Sequence, residues 1–296
     1  MNKVSEKNIL PALFRLTKPI ITLSVAFSAL TGFILFSGSF SRGWYFIYLG
    51  VLLTAAGSSV INHIQEANTD RMMERTRSRP LPSGQIGYTQ AWIWAAILAL
   101  SGPILLWWQS HPVAALLAVF TLFWYNVVYT PLKKITPWAI IPGAVVGAIP
   151  PVIGWTAAGG NINHPSIIFI AFFFFIGQIP HFWLILLRYG KDYENAGFPS
   201  ISKTFSPEQI SRLTFTWTAA TAMTAILLSI FGIIVTNEVS IIIIILSVAL
   251  IVTFYKWPGI KKPAQVERAF FIMNLYFLLM MIFLIADAII NSMLAG

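Results

Sequence analysis

The sequence predicts an all-α polytopic membrane protein, a bundle of nine transmembrane helices whose active-site loops face the cytoplasm. Three observations predict it. The 296 residues are 57% hydrophobic and only 10% charged. Apolar runs of roughly 20 residues, enough to cross a bilayer as helix, recur along the whole chain. Lys and Arg collect in alternate connections between those runs, the distribution that marks a cytoplasmic side.

The runs fall near residues 21–38, 44–64, 89–108, 112–129, 138–157, 167–187, 213–235, 241–257 and 269–290. A polar arm, MNKVSEKNILPALFRLTKP, precedes the first; no small-residue cleavage signature follows a short apolar core, so this span reads as retained. The second passes into NHIQEANTDRMMERTRSRP, a crowded mixture of acids and arginines. The fifth contains Pro150 and Pro151, expected to interrupt the helix and to free carbonyls inside the bilayer. Gly143 and Gly147 just before them form a small-xxx-small pair, which lets a helix or a flat macrocycle approach closely. The eighth opens on IIIII, suited to lipid contact. Connections are short except 67–88 and 188–212, and long ordered loops are commonly functional. No soluble domain is appended and no repeat or low-complexity tract is evident, so 1–296 reads as a single membrane domain.

Orientation follows from the basic residues. Lys3, Lys7, Arg15 and Lys18 precede the first span, and Arg71, Arg75, Arg77 and Arg79 follow the second. Lys133 and Lys134 follow the fourth, Arg188, Lys191, Lys203 and Arg212 the sixth, and Lys256, Lys261, Lys262 and Arg268 the eighth. Arg42 alone falls on the other side. The N-terminus and both long loops are therefore expected in the cytoplasm and the C-terminus opposite. The net charge of +9 belongs to this topology and is no argument for nucleic acid. With no Cys, the chain has no disulfide, thiolate metal site or c-type haem attachment, and any metal takes oxygen or nitrogen ligands.

Both long loops carry acids. Asn62, Glu66 and Asp70 are spaced by four, which on a helix aligns three oxygen ligands on one face at the cytoplasmic end of the second span. Carboxylate oxygens are what Mg²⁺ prefers, commonly in a sphere shared with substrate phosphates. The nearby Arg75, Arg77 and Arg79 suit phosphate oxygens. The same residues also fit an interfacial helix with solvated pairs, Arg71 and Glu74 being i,i+3 partners. The second loop, LRYGKDYENAGFPS, sets Asp192 beside Arg188 and Lys191. By itself it reads as a surface ion-pair cluster; opposite the first loop it reads as the second wall of a site.

The pattern Asn62-x3-Glu66-x3-Asp70-x2-Met73-x-Arg75-Thr76, continuing into RPLPSG, resembles the first signature of the UbiA-type intramembrane prenyltransferases. YTPLKK, GAIPPVIGW, QIPHFW and KDYENAGFPS are similar to the protohaem IX farnesyltransferase (haem O synthase) branch. Glu66 stands where many relatives have Asp. Ala196 stands where the wider superfamily often has a second acid, one commonly absent from the haem branch.

The resemblance implies a nine-span enzyme of the bacterial inner membrane that moves a farnesyl group from farnesyl diphosphate to a vinyl group of haem b, with Mg²⁺ assisting departure of the diphosphate. It implies Asn62, Glu66, Asp70 and Asp192 as metal ligands, and Arg75, Arg79, Lys133, Lys134, Arg188 and Lys191 as groups holding the diphosphate. Tyr125 and Tyr129, with Trp124, offer π-faces to a developing carbocation, although Trp and Tyr also belt membrane interfaces. His181 is the candidate for contacting haem, by iron, propionates or the captured water, against a packing role. His63 lies off the ladder face, and His111 and His164 fall on the opposite side. The lipid bilayer is the constant partner, with haem A synthase or terminal oxidase assembly as protein partners. Two other functions compete: prenylation of an aromatic quinone precursor such as 4-hydroxybenzoate, and an ion-coupled transporter, which expects charges nearer the midplane.

Overall fold

The computed structural model describes residues 9–199, 205–256 and 263–295. Lys3, Lys7, Lys203, Lys261 and Lys262, used above for orientation, lie outside the described residues. Nine helical segments among the described residues are long and apolar enough to cross a membrane, and the chain is an integral membrane protein.

A short helix that the hydropathy pattern hides, α1 (Ile9–Leu16), occupies the supposed polar arm. Its Ala12 and Leu16 are buried against residues of the second span, while Leu10 and Phe14 are exposed. Lys18 then adopts φ 50°, a left-handed conformation uncommon outside Gly, before Pro19 opens α2 (Pro19–Ser37).

The spans continue with α3 (Trp44–Met72), α4 (Tyr88–Gln109) and α5 (Pro112–Phe123). A π-helical turn (Trp124–Tyr129) and one further turn, α6 (Thr130–Leu132), complete the fourth span. After a 3-10 turn (Pro137–Ala139) come α7 (Ile140–Ala157), α8 (Pro165–Asn195), α9 (Pro207–Ile230), α10 (Asn237–Tyr255) and α11 (Pro263–Ala295).

Several expected boundaries move. The second and sixth spans run to Met72 and Asn195, not to 64 and 187, because charged residues end a hydropathy window without ending a helix. At 29 and 31 residues these helices are about 45 Å long, well beyond the ~30 Å hydrocarbon core, so their last turns project toward the headgroups. Asp192 thus sits on a helix and not in a loop. The seventh span starts earlier than 213, at Pro207. There the Ser206 hydroxyl accepts from Gln209 N while Gln209 Oε1 accepts from Ser206 N, a capping box.

Consecutive spans pack side by side all the way round, and α11 closes the ring against α2. Inside the ring α2 crosses α7 closely. A Cβ on Gly32 would lie 1.8 Å from the Pro151 carbonyl oxygen, and one on Gly154 would lie 1.7 Å from the Ala29 carbonyl oxygen, so larger residues would drive these backbones apart. Pro150 and Pro151 do not interrupt α7, which runs unbroken across both; Pro151 instead forms part of this crossing. Gly143 and Gly147 face the Tyr129 ring and the Gln178 side chain, so protein packing, and no macrocycle, occupies that face.

Candidate active site

The ladder on α3 is buried: Asn62, Glu66 and Asp70 are 1%, 6% and 1% exposed. Each rung is held by a different cation from a different part of the chain. Lys18 Nζ donates to Asn62 Oδ1 at 2.8 Å. Lys133, just past α6, ion-pairs with Glu66. Arg79 Nη1 donates to Asp70 Oδ2 at 2.7 Å. Local folding delivers the arginine: the Thr76 hydroxyl donates to the Asp70 carbonyl, Leu81 and Ile86 bury into the core beside α3 and α4, and the segment doubles back over the helix end.

Two of these cations lie outside the spans, and their surroundings shift them oppositely. Burial, with repulsion from Arg79, pulls the Lys18 ammonium down to about 7 despite the two carboxylates. Burial also works against Lys133, but the Glu66 carboxylate more than offsets it, and Lys133 is raised above its ordinary range.

The aromatic groups join at this level. Tyr125 and Tyr129 rings lie 5.5 Å apart, tilted by 35°, and Lys133 Nζ is 5.4 Å from the Tyr129 ring centroid. Trp124 turns away, its indole N–H donating to the Pro142 carbonyl at 2.8 Å, and is a packing residue. The π-helical turn that sets these rings has no signature in the sequence pattern, though such turns recur at functional sites.

An apolar cavity opens under the ladder between α2, α3, α5 and α7, with Lys18 and Tyr125 among its lining residues. The hydroxyls of Thr22, Thr54 and Thr121, also in the lining, each donate to a carbonyl of their own chain three or four residues earlier. Their polarity is thereby satisfied on the backbone, leaving the cavity suited to hydrocarbon.

The end of α8 forms the adjoining wall. Ala196 and Phe198 bury against Met73 at the end of α3, with Tyr193 packed beside them. Ala196 is 5% exposed in this apolar contact, a place where a carboxylate would be costly to desolvate. Arg75 lies over the Tyr189 ring at 4.5 Å and so ties the two acidic segments together.

Other expected residues are placed differently. Arg188 pairs with Glu267 at 2.6 Å, Lys134 donates to the Gln65 carbonyl, and Lys191 is exposed. Glu74 pairs with Arg77 on the exposed surface and not with Arg71, which donates to the Pro82 carbonyl. Asp192 is half-buried on α8, and among the described residues no three His, Asp or Glu side chains converge to hold a metal by themselves. His181 rests against the Phe270 ring at 4.7 Å, about 16 Å along α8 from Asp192. His63, read as off the face, is buried with Nδ1 3.9 Å from Asp70 Oδ2. Two residues escaped the sequence reading. Lys18 served there only for orientation, and its signal was a lone cation abutting a span. Tyr193, which acts electrostatically on Lys133 and Tyr129, gave no signal beyond its place next to Asp192.

The profile of the UbiA prenyltransferase family matches residues 23–278. The chain belongs to this family. It is 39% identical over 220 residues to the protoheme IX farnesyltransferase of Geobacter sulfurreducens, covering 73% of this chain and 80% of that one. It is 34% identical over 268 residues to the protoheme IX farnesyltransferase of Oleidesulfovibrio alaskensis, covering 90% and 93%. The structure of a UbiA homolog from Archaeoglobus fulgidus bound to GPP and Mg²⁺ superposes with a TM-score of 0.64 at 16% identity, covering 94% of this chain and 99% of that one, a likeness of fold. In this UbiA-family chain the ladder, its three cations and the cavity all fall on or beside α2 to α7, and the α8 end completes them.

Proposed function

We infer that this chain transfers the farnesyl group of farnesyl diphosphate to a vinyl group of protohaem IX, giving haem O, at the cytoplasmic face of a bacterial inner membrane. One observation carries the reading: at the cavity mouth Lys18, Arg79 and Lys133 stand against only two carboxylates, Glu66 and Asp70. A buried positive surplus above an apolar cavity suits a polyanion joined to a hydrocarbon chain. An ion-coupled transporter, binding a cation, would need the opposite surplus. The choice of acceptor rests on the relatives, which carry the same enzyme name across most of this chain's length.

The donor set fits Mg²⁺. Asp70 Oδ1 is buried without a hydrogen-bond partner, and Asn62 and Glu66 present further oxygens on the same helix face. With no three-acid cluster among the described residues, the ion would share its sphere with phosphate oxygens, as Mg²⁺ commonly does. Bound there, it supplies neutralisation of charge building on the leaving diphosphate. Lys18, Lys133 and Arg79 release their present partners to take phosphate oxygens through charge-assisted hydrogen bonds, with Arg75 beside them. Asp192 and Lys191 serve the same diphosphate from the adjoining wall. As the allylic C–O bond breaks, Tyr125 and Tyr129 face the developing carbocation. The vinyl π-electrons form the new C–C bond, and water captures the resulting cation and loses a proton. His181 is assigned to the haem side of the site.

Incubation of purified protein with Mg²⁺, farnesyl diphosphate and haem b, with product identified by mass, tests this reading. Haem O is expected. A parallel incubation with 4-hydroxybenzoate that yields prenylated benzoate, with no haem O from the first, would replace it with the quinone-precursor reading.

A further inference from the structure

The cavity under the ladder is blind. Its deepest lining residues, Val51, Ala118 and Ile153, are 3%, 0% and 2% exposed and belong to the packed core that continues beneath them through Ile47, Ala114 and Leu106. Its mouth lies at Lys18, whose ammonium touches Asn62. Mouth and floor are therefore both marked on α3, at Asn62 and at Val51. Eleven residues of helix separate them, about 16 Å of axial rise.

An extended chain of three isoprene units is about 14 Å long when carbon–carbon bonds of about 1.5 Å are projected on its axis. A fourth unit adds about 5 Å, close to one helical turn. Resting on the proposed prenyl transfer, we propose that the floor formed by Val51, Ala118 and Ile153 limits the donor to three isoprene units, making these residues the chain-length determinants of the site. A ten-carbon chain leaves the bottom turn unfilled and loses apolar contact, whereas a twenty-carbon chain meets packed core.

Ala55 lines the cavity one turn of α3 above Val51. Ala55→Phe should raise the floor by about one turn and therefore by one unit. Affinity for the ten-, fifteen- and twenty-carbon diphosphates is measured by competition in the presence of Mg²⁺ and without any acceptor. The ranking thus remains readable even if haem is not the acceptor. In Ala55→Phe the preference for fifteen over ten carbons should fall by about tenfold or more. In Val51→Ala, which only removes volume, the preference for fifteen over twenty carbons should fall by about tenfold. If Ala55→Phe does not fold, Val51→Ala decides alone. A ranking identical to the unmodified chain in a folded Val51→Ala protein overturns the proposal.

Discussion

Lys18 Nζ lies 2.8 Å from Asn62 Oδ1, joining the turn between α1 and α2 to the first rung of the acidic ladder. The contact spans 44 positions in sequence and depends on a left-handed backbone at Lys18 that aims the side chain inward. A cation buried against a neutral amide is poorly compensated, which is why its ammonium is pulled down to about 7. An arriving diphosphate is the natural counter-charge.

Lys18→Met should raise the KM for farnesyl diphosphate by about 10- to 100-fold, the range that one hydrogen bond to a charged group spans. Lys18→Arg should recover part of the loss. Initial rates against substrate concentration check both, and an unchanged KM in Lys18→Met would reduce Lys18 to a structural tie.

Much of this was legible in the sequence because two signals were strong. Nine apolar runs gave nine spans, and the i,i+4 spacing of Asn62, Glu66 and Asp70 placed all three on one buried face. The cations were harder. Arg75, Arg77 and Arg79 are equivalent by proximity, yet one doubles back to Asp70, one stacks on Tyr189 and one stays on the surface with Glu74. Only the turn held by Leu81 and Ile86 decides among them, and a turn of that kind has no period to read. Tyr125 and Tyr129 were identifiable as aromatic candidates; Trp124, equal to them in sequence, is separated by the hydrogen bond that turns it to α7.

Asp287, buried at 2% on α11, shows the reverse case, an acid inside a span that is far from the ladder's end. It accepts from Val235 N at 3.2 Å and Thr236 N at 2.7 Å, satisfying amides at the start of α10. Asp287→Ala should destabilise the protein by about 2–3 kcal/mol, since the loss leaves donors without a charged acceptor. Denaturant or thermal unfolding in detergent reads the loss, while the KM for farnesyl diphosphate should stay unchanged.

The orientation has a direct check because the chain has no Cys of its own. Ser83, in the segment that returns Arg79, and Asn161, between α7 and α8, are both exposed at opposite ends of the bundle. A single cysteine at Ser83 should react with an impermeant thiol reagent only from the cytoplasmic side, and one at Asn161 only from the other. The reverse pattern would invert the membrane and move the site out of reach of a cytoplasmic diphosphate.

The metal assignment is tested most sharply at Glu66. The carboxylate now balances Lys133, so its role in holding Mg²⁺ must be separated from its role in holding the lysine. Glu66→Asp keeps the charge with a shorter reach, and substantial activity should survive because a retained water can bridge the difference. Glu66→Gln keeps the size and removes the charge. Turnover should fall sharply, and the Mg²⁺ concentration for half-maximal rate should rise by about tenfold or more, since Mg²⁺ favours charged oxygen ligands. If Glu66 only neutralises Lys133, the rate falls but the Mg²⁺ midpoint stays where it was. Asp70→Asn should shift the midpoint in the same direction. Glu74→Gln, one turn farther along on the exposed surface, should shift it little, because its partner Arg77 is solvated and such a pair contributes about 0–1 kcal/mol. Mg²⁺ titrations of all four variants at saturating farnesyl diphosphate distinguish these outcomes, and a Glu66→Gln midpoint equal to that of the unmodified chain removes the ladder from the metal site.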